Sequence, residues 1–144
     1  MGQLWLRLPG QMMQGLAHSP WFGRLALLAL CAAYPRDGVN KLFDFPGAVA
    51  ETTHFGLPLP AMVAALTIAV ELGGSAVVLA SRGRAAGAAA LAGFTLAASF
   101  IANRFWELPA GQERFMMANA FFEHLRLVGA FLLVAHLALR DERP

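Results

Sequence analysis

A single cysteine, Cys31, is the only thiol in the sequence. It excludes an internal disulfide and any CxxC redox pair. It lies in an apolar run and reads as an inert packing residue, because buried thiols are unreactive. Charge is also scarce. Only 14% of the residues are charged, against about a quarter in soluble domains, so a soluble globular protein is not expected. No basic run and no basic stripe interleaved with aromatics occurs, so the net charge of +2 is not a nucleic-acid footprint. GxGxxG, Walker, GxSxG and nucleophile–base spacings are all missing. His18, His54, His124 and His136 show neither HxxxH nor HxxE spacing, and no metal site is expected from them. A haem would need two ligands facing each other across a bundle. His124 and His136 fall near opposite ends of one apolar segment and cannot serve one haem. Met116-Met117 beside His124 reads as an apolar loop rather than a copper(I) thioether site.

What the sequence has is apolar length. Hydrophobic residues make up 58% of the 144, gathered in runs near the 20 or so residues that cross a bilayer. There is room for one domain. The fold class expected is all-α: an integral membrane four-helix bundle with an N-terminal interfacial amphipathic segment. Residues 1–20 form that segment, with Trp5, Leu8, Met12 and Leu16 at helix-like spacing. Residues 21–144 form the bundle, with spans at about 22–44, 61–80, 85–105 and 119–139. The first span is the least regular, because Pro35 opens the polar stretch Arg36-Asp37-Gly38-Val39-Asn40-Lys41, and a kink is expected there. Residues 48–55 read as a short helix on the outer surface.

Arginine placement gives an orientation. Arg7 and Arg24 flank the first span, Arg82 and Arg84 fill the turn between the second and third, and Arg140 and Arg143 follow the fourth. All six fall on one side, which the positive-inside rule makes cytoplasmic, with both termini there.

Ionisable residues inside spans are expensive and usually face the bundle interior. Three stripes of small and polar residues fit that placement: Ala64, Thr67, Glu71, Gly74 and Val78 on the second span; Ala88, Ala92, Thr95, Ser99 and Asn103 on the third; Asn119, Glu123, Arg126, Gly129, Leu133 and His136 on the fourth. Counting helical rise from the outer boundary puts Glu71 at roughly 15 Å, Arg126 at roughly 11 Å and Asp37 at roughly 10 Å. Glu123 and Lys41 fall at roughly 6 Å and 5 Å on the same count. Glu71 and Asp37 are therefore expected to meet Arg126, and Glu123 to meet Lys41. The candidate site is a polar pocket of Asp37, Lys41, Glu71, Arg104, Trp106, Glu123 and Arg126, open to the outside. It would take a small molecule or a quinone headgroup. A purely structural ion network and a proton path are the competing readings. Phe105-Trp106 reads as part of an interfacial aromatic belt or as a surface on which a quinone ring stacks.

These residues, taken in order, resemble the DoxX family. Arg24 opens the first span, and Gly38-Val39-Asn40-Lys41-Leu42-Phe43-Asp44-Phe45 ends it. Gly56-Leu57-Pro58-Leu59-Pro60 enters the second, followed by Glu71-Leu72-Gly73-Gly74, the basic turn Arg82-Gly83-Arg84, Phe105-Trp106 at the end of the third, and Phe121 to Gly129 in the fourth. The resemblance covers about residues 24–137. It implies a four-helix protein of bacterial inner membranes, surrounded by lipid. It further implies a membrane subunit or anchor of a redox system, either quinone-linked or tied to oxidative stress, with a redox-protein partner or a homo-oligomer. A small-molecule permease or exporter component and a non-catalytic membrane assembly factor are the alternatives. No catalytic residue is assigned, and quinone is the one cofactor suggested.

Overall fold

The computed structural model describes residues 13–15 and 18–141. The expected interfacial segment at 1–20 lies for the most part outside the described residues. Helix α1 (Pro20–Cys31) begins with proline at its first position, where the missing N–H costs nothing. Helix α2 (Ala33–Phe43) follows after Ala32 alone. Ala32 N–H bonds only to Ala29 O, at 3.4 Å. The break lies one turn before Pro35, whose ring crowds the carbonyl four residues back and offers it no N–H. At the place where a kink is expected, the structure has a one-residue interruption at Ala32, which itself keeps helical angles of φ −52° and ψ −36°. From Pro20 to Phe43 the broken helix is about 36 Å long at 1.5 Å per residue.

Asp44 then caps α3 (Phe45–His54), its Oδ1 accepting from Gly47 N–H at 3.1 Å. The short surface helix expected at 48–55 is this one, begun three residues earlier because Asp44 and Pro46 start it. Gly56 (φ 68°) and Leu59 (φ 51°) reverse the chain into α4 (Pro60–Leu79). Ser81 and Gly83, both at positive φ, make the tight turn to α5 (Arg84–Ala102). Arg84 secures that turn: its Nε donates to Val78 O at 2.9 Å and its Nη2 to Ser81 Oγ at 3.2 Å. A cation there also suits the negative end of α4. A short 3-10 helix (Phe105–Glu107) leads to α6 (Gln112–Asp141).

Three helical segments are each long and apolar enough to cross a membrane: Pro60–Leu79, Arg84–Glu107 and Gln112–Asp141. With the broken α1–α2 helix they complete an all-helical four-segment bundle, and the protein is a membrane protein. Many of its large apolar side chains, Leu25, Met62, Leu66, Leu132 and Leu137 among them, are exposed, as they must be in a protein solvated by lipid.

Helix α5 lies between α4 and α6, while α2 and α3 lie against α4. Glycines set the α4–α5 distance. A Cβ on Gly87 would lie 2.9 Å from Gly74 O, and one on Gly74 would lie 3.0 Å from the Leu91 side chain. Close approach through small residues is how helices gain packing energy in lipid. Cys31, Tyr34, Val78, Ala88, Leu91, Val128, Phe131 and Ala135 form the core. The Tyr34 and Phe131 rings meet edge to face, with centroids 5.5 Å apart. This core closes the half of the bundle nearest the 81–83 turn. The half nearest α3 opens into a cavity.

Candidate binding cavity

Helix geometry determines which side chains reach this cavity. Gly38 brings α2 onto α4: a Cβ there would lie 2.9 Å from Leu72 and 3.3 Å from Glu71 Cβ. Lys41, one turn further along α2, therefore reaches across to α4. Its Nζ bonds Glu71 Oε1 at 3.2 Å and also pairs with Asp37 on its own helix. Glu71 is buried, at 3% exposure, and Oε1 is the oxygen that Lys41 takes. Among the described residues, Glu71 Oε2 is the buried side-chain oxygen that has no protein hydrogen-bond partner. An acceptor left unsatisfied away from water costs about 1–3 kcal/mol, so a donor delivered to this oxygen gains that much in binding.

Below Glu71, Tyr34 OH meets Thr95 Oγ1 at 2.6 Å. Thr95 Oγ1 in turn donates to Leu91 O at 2.7 Å. The tyrosine hydroxyl is therefore the donor in the first bond. On the far wall, His124 of α6 meets α5: its Nδ1 lies 3.1 Å from both Asn103 Nδ2 and Ser99 Oγ.

The cavity between these walls has a volume of about 580 Å³. Arg36, Asp37, Lys41, Thr67, Glu71, Thr95 and His124 supply its polar lining, with Tyr34 at its base, and α3 contributes Glu51, Thr52 and Phe55. The rest is largely apolar, from Val63, Leu66, Val70, Phe94, Ile101 and Leu127. Leu66 lines the cavity and is also exposed on the bundle surface.

Of the residues expected at the pocket, Asp37, Lys41 and Glu71 come together and the others do not. Arg104 pairs with Glu107 at 3.2 Å, both exposed. Trp106 packs among Phe100, Phe105 and Phe121 as an aromatic cluster outside the cavity. The expected pairs Glu71–Arg126 and Glu123–Lys41 are not formed. The Arg126 side chain is 78% exposed and that of Glu123 66%, and they face each other at 3.7 Å on the outer surface of α6. The stripes expected on α4 and α5 are largely buried, but that on α6 points outward. Helix α6 turns Val128, Phe131 and Ala135 inward instead, because these pack on the Tyr34–Leu91 core. His124 shares their face. The missed wall residue was therefore next to the one chosen: a helix rotated by one position exchanges Glu123 for His124.

A family model described as DoxX matches residues 21–104. The chain belongs to the DoxX family. The match takes in α1 to α5, and with them Asp37, Lys41, Glu71, Thr95 and Ser99. The DoxX match ends before His124, so the α6 wall of the cavity lies beyond it. No curated protein and no solved structure matches the chain.

Proposed function

We propose that this DoxX protein is a membrane subunit of a quinone-linked redox system, and that its cavity receives the quinone headgroup. The observation that carries this reading is the unpartnered Glu71 Oε2 beside Lys41 in a cavity whose remaining lining mixes apolar side chains with a few polar ones. A quinone needs a hydrogen-bond donor for each carbonyl, and its reduced form needs an acceptor for each hydroxyl. Lys41 Nζ is such a donor and Glu71 Oε2 such an acceptor. His124 offers a second polar contact on the opposite wall, and an isoprenoid tail would leave into lipid past Leu66, which lines the cavity and is exposed on the bundle surface. When bound, a quinone supplies two-electron, two-proton chemistry. The protein's own share is to bind and orient the ring, to exclude water, and to accept or hold a proton at Glu71. Electrons would pass to or from a partner redox protein. The chain would sit in a bacterial inner membrane as one four-helix domain over 21–144, with both termini cytoplasmic, as the six arginines favour.

The test is direct binding. The purified protein in nanodiscs is titrated with a short-tailed quinone, alongside Glu71→Gln and Lys41→Met. The reading expects saturable binding that weakens by about tenfold or more in each variant, the loss of one buried charge-assisted hydrogen bond. Equal binding by all three proteins, or none by the parent, would rule it out.

A further inference from the structure

The outward face of α6 is the feature least explained by a single copy in lipid. Glu123 and Arg126 stand there, more than half exposed. Asn119, Gly129, Leu133 and His136 continue the same face, and all are exposed. A Cβ on Gly129 would meet nothing within 4 Å. The bonds from His124 to Asn103 and Ser99 place Glu123 and Arg126 beside the last turn of α5, within the span rather than past its end. Charged side chains on a lipid-facing surface are costly and rare, and a lone i,i+3 pair at 3.7 Å offsets little of that cost.

We infer that this face of α6 is a homodimer interface, at which two copies pack α6 against α6 and exchange the Glu123–Arg126 pair. The charge pattern selects a second copy as the occupant. Insertion gives every copy the same orientation, so a symmetric dimer has its two-fold axis along the membrane normal. In such a pair, one flank of the helix face meets the opposite flank of the second copy at nearly equal depth, and Glu123 and Arg126 lie on neighbouring flanks. Glu123 and Arg126 carry opposite charges and are separated by about 4.5 Å of helical rise. Each Glu123 consequently meets Arg126 of the second copy, and two ion pairs form across the axis. The patch is complementary to itself. One turn further in, Gly129 lets the two backbones approach closely, the packing that drives helix association in lipid. The face lies opposite the buried Val128, Phe131 and Ala135, so pairing leaves the cavity unobstructed. This inference does not depend on what the cavity binds.

The test uses the full chain in native membranes and in proteoliposomes. Leu133→Cys on the proposed face and Leu28→Cys on the exposed side of α1 are compared by thiol cross-linking. Cys31 is buried and serves as the background control. A cross-linked dimer is expected for Leu133→Cys and not for Leu28→Cys. Glu123→Arg should lower the dimer association constant by about tenfold or more, and adding Arg126→Glu to it should restore the dimer, because the swap rebuilds both pairs. Equal cross-linking at the two positions, cross-linking of Leu133→Cys only to a different polypeptide, or a double swap that leaves the dimer as weak as Glu123→Arg does would each overturn the inference.

Discussion

Lys41 on α2 and Glu71 on α4 form the one ion pair that joins two helices among the described residues, Nζ to Oε1 at 3.2 Å. The other pairs stay within one helix or one turn: Lys41–Asp37, Arg104–Glu107 and Glu123–Arg126. The pair exists because Gly38 permits the crossing. It holds the first, broken span against the second at the level where the bundle opens.

Removing one member should therefore be worse than removing both. Lys41→Met strands a buried carboxylate and should cost about 3–5 kcal/mol. Lys41→Met with Glu71→Leu should recover a substantial part of that. Unfolding in detergent, followed by helical circular dichroism, measures it. A double variant as unstable as the sum of the two single ones would show that the pair does not couple the helices.

Arg126 offers the contrasting case. It faces away from the cavity, so Arg126→Leu and Glu71→Gln should be additive within about 0.5 kcal/mol in a double-mutant cycle. A coupling well above that would place the two side chains in contact.

The glycines should differ according to what their Cβ would strike. Gly87→Ala meets the Gly74 carbonyl oxygen at 2.9 Å, which is backbone and cannot swing aside; Gly38→Ala meets side-chain atoms alone, Leu72 Cγ and Cδ2 at 2.9 Å and Glu71 Cβ at 3.3 Å, which yield more easily. Overpacking costs of about 1–3 kcal/mol apply, with Gly87→Ala at the upper end and Gly38→Ala below it. Gly129→Ala meets nothing and should not destabilise the single bundle, alanine being about 1 kcal/mol more favourable than glycine inside a helix. Thermal midpoints in detergent, compared across the three variants, check the order.

Both termini are expected in the cytoplasm. An alkaline phosphatase fused after Pro144 should be inactive, because that reporter folds only outside, and the same reporter inserted at Gly111 should be active. The reverse pattern would invert the bundle.

The sequence by itself determined the membrane character, the positions of the apolar segments, the turn at 81–83 and the helical break near Pro35. Each of these follows from local properties: run length, a proline that removes an N–H, or a glycine at positive φ. It also placed the inward faces of α4 and α5, because Glu71, Thr95 and Ser99 stand among alanines and glycines that leave little doubt about which side packs. It did not determine the rotation of α6. That helix has polar residues on two faces, Glu123 and Arg126 on one and His124 on the other, so periodicity alone gives no unique inward side. Tertiary packing decided it. Val128, Phe131 and Ala135 fit against Tyr34 and Leu91, and burying them brings His124 to the cavity and turns the charge pair outward. Opposite charges at similar depth were not enough to predict contact, because depth fixes only one of the two coordinates that place a side chain on a helix. The other, the angle about the helix axis, is set by the neighbouring helices.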